Sequence, residues 1–232
     1  MSRPHHNRFS IKAEATHMRH ILLVEDHASF RQALVFFIER DLAPSNITQV
    51  GTLSEARPFL HDVDIAAVDL TLPDGDGVAL IAELHAVNPR AKVLALTASV
   101  DPVLYGRAVE AGVAGVMHKS ASIEDIIDAL CRLAAGEWLL TPAEVVDLLR
   151  YVKQQRDQSR EAQALLARLT SREREVLELL AQGLPSSEIA QRLYITIDTE
   201  RTHMVNILMK LDVHSQLQAL VFALRHGAVK IH

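Results

Sequence analysis

Ile65-Ala66-Ala67-Val68-Asp69-Leu70-Thr71-Leu72-Pro73-Asp74-Gly75-Asp76-Gly77 opens as a short apolar run, places an acid at its end and closes in a glycine-rich turn. A run of this length, bounded by turn residues, fits a strand buried on both faces. The same order recurs along the chain: Ile21 to Val24 precede Glu25-Asp26, Val93 to Leu96 precede Thr97, and Val113 to Met117 lead to Lys119. A further short strand near Ile47 to Val50 makes five. Between them lie helical stretches, one with Phe30, Leu34, Phe37 and Ile38 at helical spacing, the others over Val78 to Val87, Pro102 to Ala111 and Ile123 to Leu133. Alternation of this kind predicts a doubly wound α/β domain on a five-stranded parallel sheet.

In such a sheet, ligands sit beyond the carboxyl ends of the strands where the strand order reverses, which in a 2-1-3-4-5 order lies between the first and third strands. Those strands end in Glu25-Asp26 and Asp69. Three carboxylates held together repel one another, so a divalent cation is expected, and Mg2+ suits few carboxylates with open water positions. A carboxylate can also attack a phosphoryl group and form an aspartyl phosphate. Lys119 would bring a point charge, and Thr97 a hydroxyl, to the phosphoryl oxygens. Taken singly, each residue fits a cap, a turn or a solvated charge. Asp74-Gly75-Asp76-Gly77 suggests a calcium loop, but Val78 falls where a third oxygen ligand belongs, and the segment reads as a loop.

With these residues in place, positions 18–137 resemble the flavodoxin-like receiver domain of two-component systems, and Ala67 to Gly77 is similar to the family's segment around its phosphorylated aspartate. The resemblance implies that Asp69 accepts a phosphoryl group from a sensor histidine kinase and that Asp26 binds Mg2+ directly. Glu25 would assist through water, the Thr71 carbonyl would complete the protein ligands of a cation also held by Asp69, and Thr97 and Lys119 would sense the added charge. The family couples the threonine to an aromatic three residues before the lysine; here that position is Val116, and Tyr105 is a candidate substitute.

The 232 residues suit two modest domains. The formal charge of -5 gives no basic excess overall, and the single cysteine, Cys131, excludes an internal disulfide framework. No apolar run reaches the length of a membrane span, and the amino-terminal stretch lacks the apolar core of a signal peptide, so a cytoplasmic protein without membrane partners is expected. Residues 1–17 read as a flexible extension, with His5-His6 as an unspecific pair.

Past Trp138 the pattern changes. Pro142 opens a helical segment with Val145, Val146, Leu149 and Val152, then a polar run to Glu161; residues 138–164 read as a helical linker. Thr170 and Glu173 fit a capping box ahead of Val176 and Leu177. Helices follow over Ser186 to Leu193, Thr196 to Leu211 and His214 to Arg225, so 165–232 reads as a small four-helix domain.

Leu169-Thr170-Ser171-Arg172-Glu173-Arg174-Glu175-Val176-Leu177, Glu188-Ile189-Ala190, and Thr199 with Arg201 and His203 resemble the LuxR-type helix-turn-helix of NarL/FixJ response regulators. The resemblance implies a recognition helix from Ile197 to Leu211 in the major groove of double-stranded DNA, with Arg201 and Thr202 facing bases and Ser186, Ser187 and Lys210 holding phosphates. Departures are Glu200 for a usual valine, Val205 for a frequent basic residue, Ser186 for asparagine and Gln216 for arginine. From Leu165 onward, eight Lys and Arg stand against seven Asp and Glu, so operator binding would need paired subunits. The expectation is a response regulator, not an enzyme, that dimerises on phosphorylation. The alternative is a phosphate sink or protein-interaction regulator with a surface that no longer reads DNA. A phosphohydrolase is disfavoured, because Thr71 stands where such enzymes place a second aspartate.

Overall fold

The computed structural model describes residues 19–42 and 45–229; the amino-terminal extension with His5-His6 lies outside them. Two compact units follow one another, dividing after Val152. The first contains β1 (Arg19–Val24), α1 (Ala28–Asp41), β2 (Ser45–Val50), α2 (Leu53–Ala56), a 3-10 turn (Arg57–Asp62) and β3 (Ile65–Asp69). The two-residue strands β4 (Thr71–Leu72) and β5 (Gly75–Asp76) come next, then α3 (Gly77–Val87), β6 (Lys92–Thr97), α4 (Pro102–Glu110), β7 (Gly115–His118) and α5 (Ile123–Ala134). The last helix, α6 (Pro142–Ala167), begins in this unit.

The main sheet has the order β2-β1-β3-β6-β7, with every pair parallel. Because neighbouring side chains on a strand point to opposite faces, the apolar runs build two cores at once. Ile21, Leu23, Ala67 and Leu94 pack with Leu34 and Ile38 of α1 and with Ile126 and Leu130 of α5. Leu22, Val24, Val68 and Val93 pack with Leu80, Ile81 and Leu84 of α3 and Ala108 of α4. The strand expected from Val113 starts only at Gly115, because the Val113 amide turns back to the Ala108 carbonyl and closes α4.

The glycine-rich turn after β3 is a double cap. Asp74 accepts from the Leu53 and Ser54 amides and from the Ser54 hydroxyl at 2.6 to 3.0 Å, fixing the start of α2. Those bonds, the Ser54 hydroxyl first, hold its pKa down to about 2. Asp76 caps α3 through the Val78 amide and pairs with Arg107 of α4. Gly77 is dictated by space: a Cβ there would lie 2.1 Å from the Asp69 carbonyl oxygen.

The second unit takes the remainder of α6, then α7 (Ser171–Ala181), α8 (Ser186–Arg192), α9 (Ile197–Leu211) and α10 (Gln216–Arg225). Leu166, Val176, Leu177, Ile189, Met204, Ile207 and Leu211 form its core, closed by Ala219 and Ala223 of α10. The capping box is complete: Thr170 Oγ1 accepts from the Glu173 amide, and Glu173 accepts from the Thr170 amide at 2.7 Å. The final helix begins at Gln216, two residues later than expected, because Ser215 caps it through the Gln218 amide. Among the described residues no single helix is long and apolar enough to cross a membrane.

Candidate functional site

The sheet brings four distant residues to one edge. The Glu25 amide, just past β1, donates to the Val50 carbonyl; Asp69 and Thr97 end β3 and β6; the Lys119 amide, just past β7, donates to the Thr97 carbonyl at 2.8 Å. Glu25, Asp69 and Thr97 are buried. Lys119 Nζ reaches Asp69 Oδ2 at 2.6 Å and the two Glu25 oxygens at 2.7 and 2.9 Å. Burial opposes the charge on this lysine, but its bonds to Asp69 and Glu25 outweigh that, and its pKa stands above the ordinary value. The other oxygen of Asp69 accepts from the Thr71 amide at 3.0 Å, which fixes Thr71 beside the acid. Thr97 Oγ1 accepts from the Ser99 amide and keeps its own proton to donate.

Asp26 lies at the solvent side of this group. Glu25, Asp26, His27 and Asp69 each bring one ligand atom, all within 4.8 Å of one another. Three carboxylates, one of them partly exposed, give hard oxygen donors with room for water, a donor set that fits Mg2+. His27 was not singled out from the sequence; its place directly after the acidic pair was the available signal. Its Nδ1 lies 2.8 Å from Asp26 Oδ1 and 3.1 Å from Glu25 Oε1, and the Glu25 bond, with the Asp26 charge, raises its pKa.

The segment after Thr97 is held from two sides. Tyr105 of α4 donates its hydroxyl to the Ser99 carbonyl at 2.9 Å. Both the amide and the hydroxyl of Ser120 lie on His118 Nδ1, which leaves Nε2 to donate to the Ala98 carbonyl at 2.9 Å. Val116, at the position where an aromatic was missed, is half-buried against the core.

In the second unit, α9 turns Glu200, Met204, Ile207 and Leu211 inward and leaves Asp198, Arg201, Thr202, Val205 and Met209 exposed. Arg201 reaches Asp198 at 3.4 Å, and the Thr202 hydroxyl donates to the Asp198 carbonyl. Ser186 and Ser187 open α8, with Ser187 exposed and Ser186 half-buried. One expectation needs correction. Lys210, expected on a phosphate, donates to both oxygens of the buried Glu173 at 2.8 and 2.7 Å. Glu200, which stands where the family usually has valine, is fully buried, and among the described residues neither carboxyl oxygen has a hydrogen-bond partner. It occupies a core position, where the fold itself calls for an apolar side chain.

Residues 21–131 match the response regulator receiver domain, and residues 167–223 match the luxR family of bacterial regulatory proteins. Response regulator protein VraR of Staphylococcus aureus is 31% identical over 212 residues, spanning 90% of this chain and 98% of VraR. The chain belongs to the NarL/LuxR family of response regulators. A structure of the Salmonella typhimurium RcsB response regulator, described for conformational dynamism in DNA interaction, shares its fold. The TM-score is 0.50 and the identity 24%, over 89% of this response regulator and 98% of RcsB. The buried acid at the end of β3 thus lies in a receiver domain, and α8 and α9 lie in a LuxR-type helix-turn-helix domain.

Proposed function

We propose that this response regulator accepts a phosphoryl group on Asp69 from a sensor histidine kinase, in the cytoplasm, and in that state pairs with a second copy to bind double-stranded DNA and control transcription. The observation that carries the reading is the 2.6 Å contact between Lys119 and Asp69, made at the sheet edge where Glu25, Asp26 and Thr97 also gather. An Asp69 carboxylate oxygen attacks the phosphorus of a phosphohistidine, the P–N bond breaks, and the departing imidazole keeps the electron pair and takes a proton. Lys119 then balances phosphoryl charge and the Thr97 hydroxyl donates to a phosphoryl oxygen. Asp26, Asp69 and the Thr71 carbonyl would hold Mg2+, with Glu25 acting through water; the ion would supply charge neutralisation during transfer. The chemistry is stoichiometric, with slow hydrolysis of the acyl phosphate and no turnover of small substrates.

For DNA, the exposed face of α9 offers Arg201 and Thr202 to base edges, with Ser186 and Ser187 near the backbone. Lys210 is withdrawn from that list by its bond to Glu173. The burial of Glu200 supports DNA binding, since its side chain is not presented to phosphates. Val205, 54% exposed, favours the second reading, in which the face has lost DNA affinity and the chain acts as a phosphate sink or protein-interaction regulator.

The test is capture of genomic fragments at low salt with Mg2+, with and without a phosphoryl mimic at Asp69. Enrichment of fragments sharing an inverted repeat, greater with the mimic and absent in Asp69→Ala, supports the first reading. No enrichment in either state, with the mimic bound, transfers the assignment to the second.

A further inference from the structure

The geometry points to Tyr105 as the residue that transmits the phosphorylation state of Asp69 to α4 and, through Gly106, to the start of α6. This rests on the reading of Asp69 as a phosphoryl acceptor and assigns the relay that follows. The usual route is missing, since Val116 has neither a ring nor a hydroxyl. What stands in the structure is a hydrogen bond from α4: the Tyr105 hydroxyl donates to the Ser99 carbonyl at 2.9 Å. Ser99 in turn donates its amide to Thr97 Oγ1 at 3.0 Å. Thr97 and Tyr105 are therefore joined through both polar groups of a single peptide-bearing residue. A hydroxyl drawn toward a phosphoryl oxygen moves Ser99, and Ser99 carries the Tyr105 oxygen with it. His118, bonded to the Ala98 carbonyl, holds the preceding residue against β7, so the displacement passes preferentially to the α4 side.

The next residue gives that displacement a destination. Gly106 is buried, and a Cβ built there would lie 2.2 Å from a Val152 methyl and 3.0 Å from the Leu148 carbonyl oxygen. The Val152 methyl and the Leu148 carbonyl of α6 therefore pack directly on the α4 backbone at Gly106, and Val152 is 1% exposed. Packed contacts of this closeness do not deform gradually, so a shift of α4 breaks this one and loosens the start of α6. Tyr105 and Gly106 are adjacent, one bonded to the sensing segment and the other lying against the helix that leaves the receiver. Tyr105 is thus a positioning residue: it acts through Ser99 and touches no reacting atom.

The test compares full-length wild type with Tyr105→Phe, which keeps the ring and removes only the hydroxyl, by hydrogen exchange of residues 142–152 with and without beryllium fluoride and Mg2+. Occupancy of Asp69 is followed separately by mass spectrometry after treatment with acetyl phosphate. Wild type should show at least a threefold rise in exchange over 142–152 on loading. Tyr105→Phe should phosphorylate to the same extent and show less than a third of that rise. An equal rise in both proteins overturns the assignment, as does an unchanged 142–152 in loaded wild type; in both cases Asp69 remains an acceptor. Failure of wild-type Asp69 to take up any phosphoryl group sinks the underlying reading and the relay together. Thermal melting of Tyr105→Phe within 2–3 °C of wild type, roughly the shift expected for a lost half-buried hydrogen bond in a chain of this size, verifies that only the hydroxyl was changed.

Discussion

Lys210 Nζ grips both carboxylate oxygens of Glu173, 37 residues earlier, at 2.8 and 2.7 Å. The contact ties α9 to the first turn of α7, where Glu173 also completes the capping box with Thr170. One acid thereby serves a helix start and an inter-helix ion pair. Lys210→Met should lower the stability of the second unit by about 2 kcal/mol, because a nearly buried carboxylate is left without its counter-charge. Chemical denaturation followed by circular dichroism measures this, and an unchanged midpoint would contradict it.

The same acid sets a pH dependence. Burial alone would raise the pKa of Glu173, but Lys210 and the Thr170 amide and hydroxyl hold it below its ordinary value of 4.5. A folded pKa below the unfolded one means that the contribution is present in full above pH 4.5 and is lost as pH falls through the lowered folded value. Glu173→Gln should flatten the acid limb of the stability curve as well as lower the plateau. An acid limb parallel to wild type would show that the stabilisation does not come from this group.

Glu200 predicts the opposite sign. Its carboxyl is fully buried and has no hydrogen-bond partner among the described residues, and burial of an unsatisfied polar group costs about 1–3 kcal/mol. Glu200→Val should stabilise the unit by about that amount and leave DNA affinity within twofold, since the side chain belongs with Met204 and Ile207 to the buried stripe of α9. Thermal melting and a fluorescence anisotropy titration read the two effects separately. A large gain in affinity without a gain in stability would mean that the acid reaches the DNA face.

Gly77 should tolerate nothing larger than hydrogen. The Cβ of Gly77→Ala would sit 2.1 Å from the Asp69 carbonyl oxygen and 2.8 Å from Leu70 Cα, both backbone atoms that cannot rotate away. Overpacking of this kind costs about 3 kcal/mol, and here it also displaces Asp69, the proposed phosphoryl acceptor. Reduced labelling of Asp69 by acetyl phosphate, at a temperature where the variant is still folded, is the expected result.

Asp212 closes α9 in the left-handed region, with φ 55° and ψ 49°. Asp212→Gly removes the steric cost of a Cβ there and should raise stability by about 0.5–1 kcal/mol. A fall in melting temperature would show that the aspartate side chain outweighs its backbone strain.

The receiver was legible because Glu25, Asp69 and Thr97 each follow an apolar run directly, Asp69 closing Ile65 to Val68 and Thr97 closing Val93 to Leu96, with Lys119 separated from its own run by one residue. Strand order then converts sequence position into proximity. Where sequence failed, the cause was a partner far away in the chain. Nothing local links Lys210 to Glu173, so in sequence this cation on α9 reads as a phosphate contact. Glu200 carried a usable signal, since its spacing to Met204, Ile207 and Leu211 is that of one helix face; reading the position by family substitution alone obscured it. In sequence the segment Asp74 to Gly77 reads as a plain loop, and the cap at Asp74 is hidden there because its donors at Leu53 and Ser54 lie some twenty positions earlier.

The backbone contact at Gly106 also bears on how this chain can diverge. With a Val152 methyl and the Leu148 carbonyl standing where a Cβ would go, position 106 can gain a side chain only after α6 gives ground. Drift in one helix is therefore conditional on drift in the other. Among descendants of this chain, a larger residue at 106 should be inherited together with a smaller one at 152, and the order of the two changes should be fixed, with the reduction at 152 coming first.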